Sequence, residues 1–290
     1  MLAFTWVALR FIHFTSLMLV FGCALYGAWL APVSMRRLMM RRFTRLQRHA
    51  ATWSFISATL MLVVQGGLMG SGWQDVIAVD IWGAVLQTQF GGVWLWQIIL
   101  ALVTLAVTLI VPRSMSRLLL MLTIAQFILL AGVGHATLHD GATRAIQQLN
   151  HALHLVCAAA WFGGLLPVLY CMRMAQGRWR QQAIDTMMRF SRFGHLFVIG
   201  VLLTGIANGL FIVGLSFPWH AAYGQLLLLK CVLVALMVAI ALANRYLLVP
   251  RMQQDNRCMT LYFIWMTKIE WGIGAAVLAI VSLFATLEPF

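Results

Sequence analysis

Long apolar stretches alternate with short polar or arginine-bearing breaks along the whole chain. A helix needs about 20 apolar residues to cross the hydrocarbon core of a bilayer, and each stretch is close to that length or longer. The stretches are continuous rather than alternating, which excludes a transmembrane β-barrel. The pattern predicts eight transmembrane helices at about residues 2–30, 51–69, 90–111, 117–134, 149–170, 192–214, 223–248 and 262–286.

The composition also indicates an all-α integral membrane protein. Hydrophobic residues make up 62% of the 290 positions and charged residues 9%, against about 45–50% and 25% in soluble domains. The formal net charge is +13, but the basic residues lie between apolar stretches. We therefore expect a lipid bilayer and no nucleic acid as partner. The five cysteines have no paired spacing, so neither a disulfide framework nor a structural zinc site is predicted.

The arginines predict the orientation in the membrane. Sixteen lie in the first, third, fifth and seventh connections, whereas Arg144 alone lies in the others. Cytoplasmic connections carry the excess of Lys and Arg. Residues 31–50 and 171–191 are therefore predicted to face the cytoplasm, and residues 70–89 and 135–148 the periplasm. Both termini are then periplasmic in a multi-pass protein of a bacterial inner membrane, and we expect no removed signal peptide.

The sequence contains an internal repeat. The segment HFTSLMLVFG, from His13, resembles HLVCAAAWFG, from His154, at an offset of 141 residues. Three more pairs follow in the same order: QGGL and ANGL, FGGVWLWQ and YGQLLLLK, and HATLHDG and FATLEPF. Each half holds four predicted helices, so the halves must be parallel and related by a pseudo-twofold axis along the membrane normal. We expect one membrane domain over residues 1–290, with repeats at about 1–140 and 149–290.

Histidines cluster at the predicted periplasmic end of the bundle. Ionisable groups within membrane spans are costly, so their presence predicts a functional site. Imidazole is a suitable copper ligand, and this cluster offers three or four ligands. His49, His195 and His220 lie at helix ends or in a loop, where an ordinary hydrogen-bonding role is expected. The predicted metal ligands, with copper as one candidate, are His13, His135, His139, His151 and His154.

The same histidines leave a second interpretation open, in which they bind a b-type haem. His13 and His154 would be its axial ligands, and Arg10 and Lys230, at a similar depth, would neutralise the propionates. For copper these two cations are unfavourable, because fixed positive charge raises the cost of loading a cation. The first interpretation predicts a copper transporter that is not an enzyme, and the second predicts an electron carrier or a quinone-linked oxidoreductase. A scaffolding role for a periplasmic copper protein is the third interpretation.

Glu270 is a buried acidic residue in the inner part of the eighth predicted helix. A carboxyl group in that position is a candidate for proton coupling. No Walker-type glycine loop is present, which argues against direct coupling to ATP.

Most of the 17 methionines lie on the predicted cytoplasmic side without forming a ladder through a helix. A methionine relay for copper is therefore the less favoured hypothesis.

Four segments together resemble the CopD/PcoD copper-resistance family of bacterial inner-membrane proteins: RFIHFTSLMLVFG, GHATLHDG, NHALHLVCAAAWFGGLLPV and LLLLKCVLVALMVAIALANR. The resemblance covers essentially the whole chain, and the third segment is the most specific. It implies eight spans, a role in copper resistance or copper movement across the inner membrane, and a periplasmic copper-binding partner of the CopC type. That partner would be a separate protein. The histidines of the matching segments are His13, His135, His151 and His154.

Overall fold

The computed structural model describes residues 1–110, 115–133, 141–214, 218–249, 257–284 and 286–287. Over these ranges the ordered elements are helices, and no strand occurs in them. Two π-helical turns, Tyr26–Leu30 and Asn244–Leu248, continue α1 and α8, and a 3-10 turn, Trp73–Ile77, precedes α3. The α-helices in the described ranges are α1 (Leu2–Leu25), α2 (Val33–Met69), α3 (Val79–Gln87), α4 (Gln89–Ile110), α5 (Ser116–Ala131), α6 (Gly141–Met174), α7 (Arg180–Val213), α8 (Ala222–Ala243) and α9 (Arg257–Phe284).

The described helices include seven that are long and apolar enough to cross a membrane. A further apolar helix, α5, has 16 residues. Each of the eight predicted apolar stretches coincides with one of these helices. The prediction of an all-α integral membrane protein is therefore confirmed.

Three helices run well beyond their apolar stretches. Helix α2 begins at Val33 and has 37 residues; α6 begins at Gly141 and α7 at Arg180, with 34 residues each. Residues 31–50, expected to be a connection, are thus almost entirely helical, and residues 70–89 contain the 3-10 turn and α3. Hydrophobicity predicts only the part of a helix that lies in the lipid. The helices extend further because each residue added to an existing helix gains a backbone hydrogen bond.

Helices α1 and α6 form the centre of the bundle and cross at Gly22 and Gly163. A Cβ on Gly163 would lie 3.1 Å from the Cα of Gly22 and would collide with the carbonyl oxygen of Met18. A Cβ on Gly22 would collide with the backbone of Gly163. Only glycine lets two helix backbones approach this closely. Both glycines end the matched segments that begin at His13 and His154.

The other helices pack around this central pair. Helix α1 packs against α2, α5 and α9, and α6 packs against α7, α5 and α9. Helix α4 packs against α2 and α5, and α8 packs against α9. Over the described residues, α7 makes at most marginal contact with α8, in contrast to the extensive contact between α2 and α4.

Candidate functional site

His13 on α1 is completely buried, and both of its ring nitrogens are hydrogen-bonded. Nδ1 lies 3.0 Å from the carbonyl oxygen of Ser54 and 3.3 Å from Oγ of Ser57, both on α2. Nε2 lies 3.0 Å from the side-chain nitrogen of Gln97 on α4. Because a carbonyl oxygen can only accept, Nδ1 carries the proton, and Nε2 accepts a hydrogen bond from Gln97.

Gln97 links His13 to a buried polar network. Its amide nitrogen also lies 3.4 Å from Oε1 of Gln126 on α5. Nε2 of Gln126 donates to Oγ1 of Thr104 at a distance of 2.9 Å. The Trp94 ring lies 5.7 Å from the His13 ring and covers the imidazole. Oε1 of Gln97 is buried and has no hydrogen-bond partner among the described residues.

His154 on α6 carries its proton on the same nitrogen as His13. Nδ1 of His154 lies 2.9 Å from Oγ1 of Thr204 on α7. The Thr204 hydroxyl donates to the carbonyl oxygen of Gly200, so its oxygen accepts from Nδ1 of His154. Nε2 of His154 therefore keeps its lone pair.

A second imidazole and two amides lie beside His154. The rings of His151 and His154 are nearly parallel, with centroids 6.5 Å apart and an interplanar angle of 10°. Nδ2 of Asn208 lies 3.4 Å from Nδ1 of His151, and Asn150 donates to Oδ1 of Asn208 at 3.0 Å. Both histidines are partly exposed. This cluster is therefore less completely buried than His13.

Each of the two predicted cations accompanies one of these histidines. The Arg10 guanidinium lies over the Phe14 ring, 5.5 Å from its centroid, and acts electrostatically on His13. The Lys230 ammonium lies 5.7 Å from the centroid of the Phe284 ring and acts electrostatically on His154. The two histidine positions are thus both electropositive.

The structure divides the predicted histidine cluster between two environments. The hydrogen-bond partners of His13 come from α2 and α4, whereas the partner of His154 comes from α7. His135 and His139 lie outside the described residues. Over the part of the chain that the structure describes, no group of three or more His, Cys, Asp or Glu side chains is arranged to hold a metal ion.

Glu270 on α9 lies at a junction of three helical segments and is 2% exposed. Its Oε1 accepts a hydrogen bond from Nε1 of Trp161 on α6 at 2.8 Å. Its Oε2 lies 3.5 Å from Nδ2 of Asn244, the first residue of the π-helical turn after α8. Oδ1 of Asn244 is buried and has no hydrogen-bond partner within the described ranges.

Sequence reasoning missed the hydrogen-bond partners of the buried groups. One signal was available for Gln126, because TIAQF and TKIEW place Gln126 and Glu270 at matching positions. Thr123 and Thr267, which begin these segments, each donate from Oγ1 to the carbonyl oxygen four residues earlier at 2.8 Å. The missed partners are Ser54, Ser57, Gln97, Thr104, Gln126, Asn150, Trp161, Thr204, Asn208 and Asn244.

Known proteins resemble the chain over its full length. The model of the copper resistance protein D-like N-terminal domain matches residues 1–146, and that of copper resistance protein D matches residues 184–284. Inner membrane protein YebZ of Escherichia coli (strain K12) is 69% identical over 100% of both chains. Copper resistance protein D of Pseudomonas syringae pv. tomato is 29% identical over 98% of this chain and 96% of that protein.

A third relative is longer than this chain. Copper transport protein CutJ of Bacillus subtilis (strain 168) is 28% identical over 97% of this chain and 54% of its own length. No solved structure matches the chain significantly. The identity to YebZ and the apolar helices confirm the predicted location, a multi-pass protein of the inner membrane. The family resemblance is confirmed as well, and the chain belongs to the copper resistance protein D (CopD) family.

Proposed function

We propose that the protein moves copper across the inner membrane and takes it up at a periplasm-facing site that includes His13 and His154. The observation that carries this proposal is their common tautomer, with the proton on Nδ1 and the lone pair on Nε2. A hydrogen bond from one nitrogen to a fixed protein acceptor is typical of metal-binding histidines, because it orients the other nitrogen. Two relatives are named for copper resistance and copper transport.

The position of both histidines on the central helix pair supports a shared site. Each lies nine residues before the glycine at which α1 and α6 cross. At 1.5 Å per residue, both lie about 13.5 Å from the crossing along their helices. Both therefore lie at the same level of the central helix pair, and a shared ion would require the two imidazoles to turn from their present partners on α2, α4 and α7.

The equivalence of α1 and α6 extends to other helices and supports two parallel four-helix repeats. A Cβ on Gly91 would collide with the carbonyl oxygen of Val85, and one on Gly224 with that of Pro218. In both halves the residue that the Cβ would meet lies six positions before the glycine, so the two turns have the same local geometry. Even numbers of spans put both termini on one side, and the arginine distribution puts that side in the periplasm.

Reporter fusions test this orientation. Alkaline phosphatase is active only in the periplasm, so a fusion after residue 80 is expected to be active and one after residue 45 silent. The reverse pattern would place the histidines on the cytoplasmic side and contradict uptake from the periplasm.

Further ligands are available close to His154. His151, one helical turn earlier, has its ring beside that of His154. His135 and His139 precede α6 in sequence and would complete a set of three or four imidazoles. For His13 to take part, the Gln97 amide must turn away from Nε2. The unpartnered Oε1 of Gln97 lowers the cost of that rotation, because it has no hydrogen bond to lose.

The haem alternative fits these surroundings less well. The His13 ring packs against Trp94, and Gln97 occupies the side of Nε2 where an axial bond would form. A single ion needs only the rotation of one amide, whereas a macrocycle needs α1, α2 and α4 to separate. An intense Soret band in the purified protein would revive that alternative, whereas colourless protein containing copper by elemental analysis supports transport.

We further propose that Glu270 exchanges a proton during transport. As a carboxylate, it accepts hydrogen bonds from Trp161 and from the Asn244 amide. As a carboxylic acid, it has a proton to donate, and the unpartnered Oδ1 of Asn244 becomes its acceptor when the amide rotates by half a turn. Both protonation states are thus satisfied by one amide flip.

Among the described residues, no cation forms an ion pair with Glu270 that would hold it in its charged form. Lys268 lies 5.1 Å from the centroid of the Trp265 ring, and Arg245 donates to the Ser191 side chain at 2.7 Å. Lys230 and Arg10 lie over Phe284 and Phe14. The matching position in the first half is Gln126, which does not titrate, so proton exchange would be confined to the second half.

Copper would reach the histidines from a separate periplasmic copper-binding protein of the CopC type. The partly exposed His151–His154 pair is the accessible entry point for such a donor, whereas His13 is buried. The transport role requires no enzymatic activity. Transfer is tested by mixing the purified protein with a copper-loaded donor and measuring the copper that remains bound after separation. Absence of transfer would contradict this route of loading.

A further inference from the structure

A basic cavity lies where the π-helical turn after α1 meets the first turns of α2 and α5. It has a volume of about 340 Å³ and is lined by the side chains of Arg36, Arg37 and Arg117, with Ser116 and Gly27 beside them. None of its lining residues is acidic. We propose that this cavity binds the phosphate group of an anionic phospholipid.

Charge is the first argument for an anionic ligand. Three arginines line one cavity that has no acidic residue in its lining, and like charges that lie near one another repel. Nε of Arg36 is buried and has no hydrogen-bond partner among the described residues. A phosphate diester supplies both the neutralising charge and the acceptor oxygens that a guanidinium group binds in pairs.

The helix ends strengthen the positive potential in the cavity. Helix α2 begins at Val33 and α5 at Ser116, and neither has a side-chain cap or an acidic residue in its first turn. A helix N-terminus carries a partial positive charge and unpaired N–H groups, so a cation placed there is destabilising. Arginines in the first turns of both helices are therefore stabilised by an anion at this point.

The surroundings favour a lipid over a free phosphate ion. The cavity lies at the arginine-rich end of α1, and Ala28, Val33 and Met40 complete its lining. Val33 is 77% exposed, and the neighbouring Trp29 is 48% exposed. Tryptophan at the end of a span is typical of the membrane interface. A phosphate held by the arginines would leave acyl chains free to extend along this apolar surface.

The test measures lipid retained by the purified protein, using native mass spectrometry with equimolar phosphatidylglycerol and phosphatidylethanolamine. We expect selective retention of phosphatidylglycerol. One basic side chain near anionic lipid is worth about a fivefold change in binding, so R36Q/R117Q should bind this lipid about 25-fold more weakly. The matched control R41Q/R45Q removes the same charge from exposed positions outside the cavity and should reduce retention much less than R36Q/R117Q does.

Three outcomes would overturn the proposal. Equal losses in the two double variants would indicate general surface charge. No preference between the two lipids by the unaltered protein would exclude a specific headgroup site, even if the R36Q/R117Q protein failed to fold. Stabilisation of the unaltered protein against heat by inorganic phosphate, with none by phosphatidylglycerol vesicles, would assign the cavity to the free ion. Saturable stabilisation by phosphatidylglycerol vesicles, with none by phosphatidylethanolamine vesicles, would support binding of the anionic phospholipid in the cavity.

Discussion

The Gln97 amide donates a hydrogen bond to Nε2 of His13 across 3.0 Å. This bond occupies the nitrogen that would bind copper, and it ties α1 to α4. At the matching position of the second half stands Lys230, which acts electrostatically on His154. The two histidines thus share a tautomer but differ in their surroundings. A copper ion would have to displace the Gln97 amide from Nε2 of His13, whereas at His154 it would meet the positive charge of Lys230.

Replacing Gln97 by leucine should destabilise the protein. Nε2 of His13 would remain buried without a donor, which costs about 1–3 kcal/mol. The exposed Gln87 at the end of α3 provides the control, since Gln87→Leu should change stability by less than about 0.5 kcal/mol. Thermal unfolding in detergent measures both. Equal effects would mean that the hydrogen bond between Gln97 and His13 contributes nothing.

The close crossing of α1 and α6 predicts a strong effect of Gly163→Ala. The added methyl group would collide with the carbonyl oxygen of Met18, and such overpacking costs about 1–3 kcal/mol or more. Gly92→Ala is the matched control, because nothing lies within 4 Å of a Cβ there. Thermal unfolding should separate the two variants. A harmless Gly163→Ala would contradict the backbone contact.

Arg10→Met and Lys230→Met separate the copper and haem interpretations. Removal of a positive charge near a copper site should leave copper binding unchanged or strengthen it, because the repulsion is lost. Copper bound per folded protein measures this effect. Weaker copper binding would contradict the electrostatic account. Loss of a bound haem in these variants would support the haem interpretation instead.

Glu270→Gln should uncouple proton movement from copper transport. The amide keeps the size and the hydrogen-bonding capacity of the protonated carboxyl but holds no exchangeable acid proton. In proteoliposomes we expect proton flux linked to copper to disappear while copper binding at equilibrium is kept. Asp185→Asn is the control, because this acid on α7 accepts a hydrogen bond from Gln181 at 3.2 Å and lies apart from Glu270 in sequence. Unchanged proton flux in Glu270→Gln would contradict the proposed role of Glu270 in proton exchange.

The spans were predictable from sequence because hydrophobicity must match the bilayer locally, whichever helices pack together. The full lengths of the helices could not be predicted in this way. In Val33–Met69, for example, the first half is rich in arginine and has no continuous apolar stretch. His13 could be singled out because a histidine in an apolar stretch is costly. Its contacts with Ser54 and Gln97 depend on how three helices are rotated about their axes, which one sequence does not specify.

The second half illustrates the same limit. Thr204 looks like an ordinary small residue of a transmembrane helix, and only its distance from His154 identifies it as the acceptor that sets the tautomer. Glu270 was predictable as a buried carboxyl, since an ionisable residue in a span is rare. The unpartnered Oδ1 of Asn244, which gives that carboxyl a second state, is visible only in three dimensions.

Copper bound per folded protein tests the central claim most directly, in His13→Ala, His154→Ala, the double variant and His195→Ala. His195 is the control because its ring nitrogens lie 2.9 Å from the Ser191 carbonyl oxygen and 3.3 Å from the Tyr246 hydroxyl, near the other end of the bundle. If His13 and His154 share one ion, each single variant should lose most of its copper, and the double variant little more, because residues of one site are coupled. His195→Ala should retain its copper. Full occupancy in both single variants, with normal folding and insertion, would contradict a copper site between α1 and α6.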